Sequence, residues 1–307
     1  MSQYALAVDV GATKVALAKV DRSFGVTSKH EVAVKENRYL WEEIAAVTRE
    51  LLEEADGSFI GVGIGSAGPL HLATGAVSPV NIPSWRHFPI VEKFVGLTDT
   101  QNVVLHGDAM ALAHAEFRLG AGRGVSNMLG LVVSTGIGGG LVLNDELYIG
   151  ESGNAYFIGH HTINFDGIDC ACGRRGCVET YASGPGMVQI AQSRGWRGEP
   201  TFIALADSAR HGDSKALEVI DEGARALAIG IVNSIGSLDI QTVVIGGGVS
   251  QSGDVYWNPL RYHIKNEARF TDFINNIDLR PAELERDAGI VGAALGVLDV
   301  HSKQSRF

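Results

Sequence analysis

The chain opens with an apolar run, a short glycine-containing turn and a second apolar run, and the same arrangement returns in its second half. Tyr4 to Val10 and Lys14 to Val20 flank Gly11-Ala12-Thr13. Leu129 to Gly140 is again an apolar run with a Thr-Gly turn, followed by a second run from Leu141 to Leu143. Apolar runs of this length around a glycine turn predict β-hairpins. Around the first hairpin, the pattern predicts a strand over Ser28 to Lys35 and a helix from the spacing of Leu40, Ile44, Val47 and Leu51. Strands follow over Phe59 to Gly65 and Asn102 to His106, then an Ala-rich helix from Ala109 to Leu119 that Gly120-Ala121-Gly122 ends. The second half repeats the plan: Leu217, Ile220, Ala224, Leu227 and Ile231 recur at helical spacing before a strand at Thr242 to Ile245 broken by Gly246-Gly247-Gly248. Duplication of such a unit predicts an α/β fold of two related lobes with a ligand cleft between them. The expected division is 1–119 and 120–287, with an Ala-rich helix at about 288–303 packing back on the first lobe, because small residues permit close approach.

A chain of 307 residues, 45% hydrophobic and 20% charged, can bury cores of that size. The formal net charge of -10 and the lack of a basic stripe argue against a nucleic-acid groove, which needs clustered Lys and Arg to neutralise phosphates. No uncharged stretch approaches the roughly 20 apolar residues of a membrane span. The first strand begins within a few residues of Met1, leaving no space for a secretory leader, so the expected location is the cytoplasm.

Asp9-Val10-Gly11-Ala12-Thr13-Lys14 places a carboxylate at a strand end before a turn that offers N–H groups, a hydroxyl and a cation. Successive N–H groups form a concave anion site, and Asp9 could hold the hydration shell of Mg²⁺. An ordinary hairpin accounts for the same letters. The counterpart at Ser134-Thr135-Gly136-Ile137-Gly138-Gly139-Gly140 and the third turn at Gly246 to Gly248 extend the phosphate reading, with Asp9, Gly11, Thr13, Lys14, Thr135, Gly136, Gly138, Gly247 and Gly248 as candidate nucleotide contacts. Neither a Walker A pattern nor a strand-linked GxGxxG is present. Nothing in the three turns reports adenine, so polyphosphate stays open as donor beside ATP.

Asp108 follows a buried strand and opens a helix, where ligands collect in open α/β sheets. It suits the carboxylate that orients an acceptor hydroxyl and takes its proton in phosphoryl transfer. Helix capping is the plainer explanation of the same residue. A helix N-terminus favours the ionised carboxylate, so any rate effect is expected from positioning and not from a raised pKa.

All three cysteines fall within His160-x9-Cys170-x-Cys172-x4-Cys177. Thiols at this spacing, in a chain without an export signal, read as Zn²⁺ ligands, and three sulfurs with one imidazole close a tetrahedral structural site. His161 is the competing imidazole. Glu179, two residues past Cys177, would be held rigidly, as a substrate contact or as a first-turn helix residue.

Taken together, Asp9-x-Gly11-x-Thr13-Lys14, Gly65-x-x-Gly68-Pro69, Gly107-Asp108-Ala109, the second glycine turn and the His-Cys-Cys-Cys-x-Glu array resemble the ROK family (repressor, open reading frame, kinase) over nearly the whole chain. The resemblance implies an actin/hexokinase-like (ribonuclease H-like) fold and a sugar kinase using ATP with Mg²⁺. By the same resemblance Asp108 is the catalytic base, His160 binds zinc and touches the sugar, and Glu179 accepts hydrogen bonds from sugar hydroxyls. Gly68 borders the sugar through its backbone, and Asn81 sits in a substrate-side loop. A homodimer is also implied.

Two departures alter the expected pocket. The family's Asn before the catalytic Asp is Gly107 here, and its Gly-Glu-x-Gly-His segment is Tyr156-Phe157-Ile158-Gly159-His160, which replaces a carboxylate by Phe157. A buried hydroxyl without a partner costs about 1–3 kcal/mol, so ordinary glucose is not the expected acceptor. A deoxy, amino, N-acyl or cyclitol relative is, or else a catalytically weakened sugar-binding protein. A DNA-binding repressor would need an added helix-turn-helix, for which the chain offers no substitute.

Overall fold

In a computed structural model the described residues are 3–34, 39–54, 57–269, 272–274, 276–284 and 287–304. The first half holds β1 (Gln3–Val10), β2 (Lys14–Asp21), β3 (Val26–Ala33), α1 (Leu40–Glu53), β4 (Ser58–Ser66), β5 (Leu70–His71), β6 (Ala76–Val77), α2 (Ile90–Thr98), β7 (Val103–Gly107) and α3 (Asp108–Leu119). The second holds β8 (Met128–Val133), β9 (Ile137–Leu143), β10 (Glu146–Tyr148), α4 (Val178–Ala182), α5 (Gly184–Ser193), α6 (Phe202–Arg210), α7 (Ser214–Leu238), β11 (Thr242–Gly246), α8 (Asp254–Ala268), β12 (Asp278–Pro281) and α9 (Ala288–Gln304).

The duplication is visible in the sheets. One runs β3-β2-β1-β4-β7, the other β10-β9-β8-β11-β12. In each, the opening hairpin is antiparallel and the two later strands are parallel to the first.

The sequence of β1 and β2 shows how one sheet takes helices on both faces. Side chains alternate across a strand, and here the alternation is large against small. Leu6, Val8, Val10, Val15 and Leu17 join the core over α1, while Ala5, Ala7, Ala16 and Ala18 join α9 on the opposite face. The approach of α9 is close enough that a Cβ at Gly63 would fall 1.9 Å from the carbonyl oxygen of Ala293. The second sheet's main core runs through α4 to α8 and includes the fully buried Tyr256.

Three sequence expectations are corrected by the fold. The third strand runs Val26–Ala33, two residues earlier than its pattern suggests, with Ser28 at φ 48° where the register against β2 shifts; Lys35 lies outside the described residues. Leu217 shares the helical spacing of its neighbours yet is exposed on α7. Gly138, Gly139 and Gly140, read as part of a turn, lie inside β9, and only Ser134 to Gly136 turn. Their lack of side chains serves packing: a Cβ at Gly138 would come within 2.7 Å of the Ala109 Cβ, and one at Gly140 within 2.8 Å of the Met110 Cα. The glycine strand thereby seats the first turn of α3 against the second sheet.

Candidate active site

A cleft of about 340 Å³ lies between the first sheet's strand ends and the second glycine turn. Gly68, Asn81, Gly107 and Asp108 line it from one side, and Thr135, Gly136, Gly138, His160 and Glu179 from the other. Of the first turn, Ala12 lines it. A second cavity of about 560 Å³ adjoins through Ser134 and Thr135, and Pro200, Phe202, Ile203 and Gly248 form part of its wall. No sequence signal marks Pro200, Phe202 or Ile203, because an apolar residue on a cavity wall has the same spelling as one in a core.

Asp108 is the first residue of α3, and Gly107 is the N-cap. Its Oδ1 accepts the N–H of Ala109 at 2.7 Å, so the carboxylate does not cap deeper into the helix. Burial raises its pKa, against the opposing pull of the Ala109 and Asp108 N–H groups. This corrects the expectation of an unraised value: desolvation of the carboxylate outweighs the helix N-terminus. Asp9, at the inner end of β1, is pushed up to about 7 by burial first and by the negative charge of Asp108 second, with Lys29 and Lys14 pulling the other way. The N-terminal turn of α9 presses on it, since a Cβ at Gly289 would lie 2.4 Å from Asp9 Oδ2. The two carboxylates therefore lie within one another's field.

The first turn is closed by the Gly11 N–H donating to the Lys14 carbonyl at 3.0 Å. Lys14, expected as a phosphate cation, pairs with Glu31 across the β2–β3 ladder. Lys29, which sequence reasoning missed, pairs with Asp287 at 2.7 Å and fastens β3 to the start of α9. Gly247 turns the chain at φ 95°, beneath the Val133 carbonyl.

His160, Cys170, Cys172 and Cys177 converge so that all four potential ligand atoms lie within 4.8 Å of one another. Cys172 Sγ and Cys177 Sγ are 3.7 Å apart, and His160 Nδ1 is 3.6 Å from Cys170 Sγ. A tetrahedron with Zn–S bonds of ~2.3 Å has S···S edges of ~3.8 Å, so the set fits such an ion. His161 stands outside the set, edge-on to Tyr156. Cys177 is the N-cap of α4, which carries Glu179 in its first turn. There Glu179 Oε2 accepts the Ile137 N–H at 2.8 Å and reaches the second glycine turn.

The glycine turns, the acid at the head of α3 and the His-Cys cluster coincide with a family model, that of the ROK family, which matches residues 5–300. The chain belongs to the ROK family. Within it, the chain is 32% identical over 311 residues to a glucokinase of Halalkalibacterium halodurans, covering 93% of this chain and 92% of the relative. An N-acetylmannosamine kinase of Haemophilus influenzae is also 32% identical, over 298 residues, with 96% and 95% covered. The crystal structure of a ROK family glucokinase from Streptomyces griseus in complex with glucose and AMPPNP superposes with a TM-score of 0.81 at 30% identity, over 95% of this chain and 98% of that one. This ROK chain accordingly has the two-lobed actin/hexokinase-like α/β fold, and among its described residues no helix is long and apolar enough to cross a membrane.

Proposed function

We propose that the chain is an ATP-dependent carbohydrate kinase that phosphorylates the primary hydroxyl of a hexose, an amino or acetamido sugar or a related polyol. The observation that carries this reading is the position of Asp108 in the cleft opposite Thr135 and Gly136. A carboxylate there can orient the acceptor hydroxyl and take its proton, and its raised pKa makes it a stronger base than an exposed aspartate. The acceptor would lie among Gly68, Asn81, His160 and Glu179. The nucleotide would span the adjoining cavity, with its phosphates near Gly11, Thr13, Thr135, Gly136 and Gly138 and its nucleoside toward Gly247 and Gly248. Asp9, beside Asp108, would hold Mg²⁺, which neutralises phosphate charge when bound. The lobes would be 1–119 with the final helix, and 120–287, closing over the substrates to exclude water.

His160, Cys170, Cys172 and Cys177 would hold a structural Zn²⁺ that leaves no open position. With Nδ1 turned to the cysteines, Nε2 of His160 remains for the acceptor. The partly exposed Phe157 on the cleft wall favours a second reading, a catalytically weakened sugar-binding protein. An ADP-release screen over hexoses, amino sugars, acetamido sugars and cyclitols decides between them. Saturable ADP release that depends on acceptor supports the kinase, and sugar binding without ADP release supports the alternative.

A further inference from the structure

The chain passes between the two sheets twice, from α3 to β8 and from β12 to α9, and one side chain holds both passages. Glu116, near the end of α3, is fully buried. Its Oε2 accepts the N–H groups of Ala121 at 2.9 Å and Glu283 at 3.0 Å, and its Oε1 accepts that of Leu284 at 2.8 Å. Arg280 of β12 ties the passages directly by donating to the Ala121 carbonyl at 2.6 Å. A carboxylate removed from water with three N–H partners makes a firm joint. It stands eight residues from Asp108 along α3, about 12 Å at the rise of a helix. The halves are therefore joined at the tail of α3, and the cleft opens at its head.

A second tie between the halves lies at the cleft itself, in residues 149–157 of the second half. Asn154 lines the cleft, and its carboxamide accepts the Leu70 N–H at 2.8 Å and donates to the Leu70 carbonyl at 2.9 Å. One side chain thus takes both backbone groups of a residue in β5, as a neighbouring strand would. Asn154 also donates to the Ser152 carbonyl at 3.1 Å, which fixes the direction of its amide. Beside it Gly153, at φ 79°, lies against the first half, since a Cβ there would fall 2.4 Å from Leu72 Cδ1. The segment runs on into the short turn Ile158–His160, so whatever holds Asn154 also holds the wall that carries His160. In contrast to the joint at Glu116, this tie consists of two neutral hydrogen bonds that are only part-buried, and water competes for such bonds.

A firm joint at one end of α3 and a weak tie at the other form a clasp. We propose that Asn154 is a positioning residue whose bonds to Leu70 draw residues 149–157 over the cleft, and that breaking and remaking them admits the acceptor and then holds the halves around it. The inference rests on the kinase reading above and adds to it a residue that neither takes the proton nor binds phosphate. The adjoining cavity is lined by second-half residues alone, from Ser134 to Ser252, so the clasp acts on the acceptor and leaves the nucleotide's grip unchanged.

The test uses the full chain with Mg²⁺-ATP and the best acceptor from the ADP-release screen. Asn154→Ala removes both bonds, and Asn154→Asp keeps a partner for the Leu70 N–H while setting an oxygen against the Leu70 carbonyl. Both should raise the acceptor's KM and its calorimetric Kd by about 10- to 100-fold, with kcat at saturating acceptor and nucleotide affinity within about threefold of wild type. Retained nucleotide affinity certifies that a variant is folded. Gly153→Ala, which presses on Leu72 and leaves the Asn154 amide in place, should weaken the acceptor in the same sense. In the wild-type chain, saturating acceptor with Mg²⁺-ADP should slow hydrogen exchange at the Leu70 amide by about 10-fold or more, a reading that needs no variant. Unchanged acceptor affinity in Asn154→Ala, or unchanged exchange at Leu70, overturns the clasp. So does an Asn154→Asp that keeps the affinity Asn154→Ala loses, because a carboxylate can replace the carboxamide as partner of a sugar hydroxyl but not of the Leu70 carbonyl. Sugar affinity that falls in both variants, with no ADP release from any acceptor, overturns the kinase reading and leaves the clasp standing.

Discussion

Glu179 Oε2 accepts the backbone N–H of Ile137 at 2.8 Å, and this bond joins the cysteine loop to the second glycine turn. The loop ends at Cys177, the N-cap of α4, so anything that loosens the thiols also loosens the residue that buttresses the turn. Cys172→Ser should lower metal stoichiometry measured by atomic absorption, lower the thermal midpoint by several degrees, and weaken nucleotide affinity. Unchanged metal content would remove this cluster as the metal site.

Asp108→Asn keeps the size of the side chain and removes its basicity. Turnover should fall by about 10²–10⁴-fold while nucleotide affinity measured by calorimetry changes little. Because burial raises the Asp108 pKa, the acid limb of the wild-type rate profile should lie above the ordinary aspartate value of ~3.9, with activity gained as pH rises through it. An acid limb at or below that value would contradict the buried environment.

Asp9 binds its proton more tightly in the fold than in the unfolded chain, since its pKa is pushed from 3.8 up to about 7. Its contribution to stability is therefore present below the ordinary aspartate range and is lost as pH rises through about 7. Urea midpoints of the ligand-free protein, followed from pH 5 to pH 8, should show a decline that Asp9→Asn flattens. A variant with the same slope as wild type would assign the decline to other groups.

Gly140 lies under the first turn of α3, where a Cβ would stand 2.8 Å from the Met110 Cα and 3.0 Å from the Ala109 carbonyl oxygen. Both are backbone atoms that cannot rotate aside. Gly140→Ala should cost about 1–3 kcal/mol of stability by overpacking and reduce turnover more than nucleotide affinity, because the displaced turn carries Asp108. Stability by urea titration and single-turnover rates check the two effects separately.

Much of the fold was legible because its signals are local. The large-small alternation of β1 and β2 marks two buried faces, and the spacing of Cys170, Cys172 and Cys177 marks a ligand set within one short loop. Asp108 was legible as the residue where a strand meets a helix, although the strand expected to be buried, β7, lies at the sheet edge with only Leu105 buried. By contrast, Gly138 to Gly140 looked like a turn, since nothing adjacent in sequence discloses that Ala109 and Met110 press against them. Lys14 looked free for phosphate until the β2–β3 pairing brought Glu31 beside it.

By itself the sequence determined the repeated order of strands and helices and the three cysteines of the His-Cys cluster, because periodicity and short spacings act within a few residues. Tertiary structure alone decided the burial that lifts the Asp9 and Asp108 carboxyls and the choice of His160 over His161. Those features depend on groups far apart in the chain, as with Asp9 and Asp108. Desolvation, packing and hydrogen bonding follow distance in space, and the chain sets that distance only once both sheets are in place.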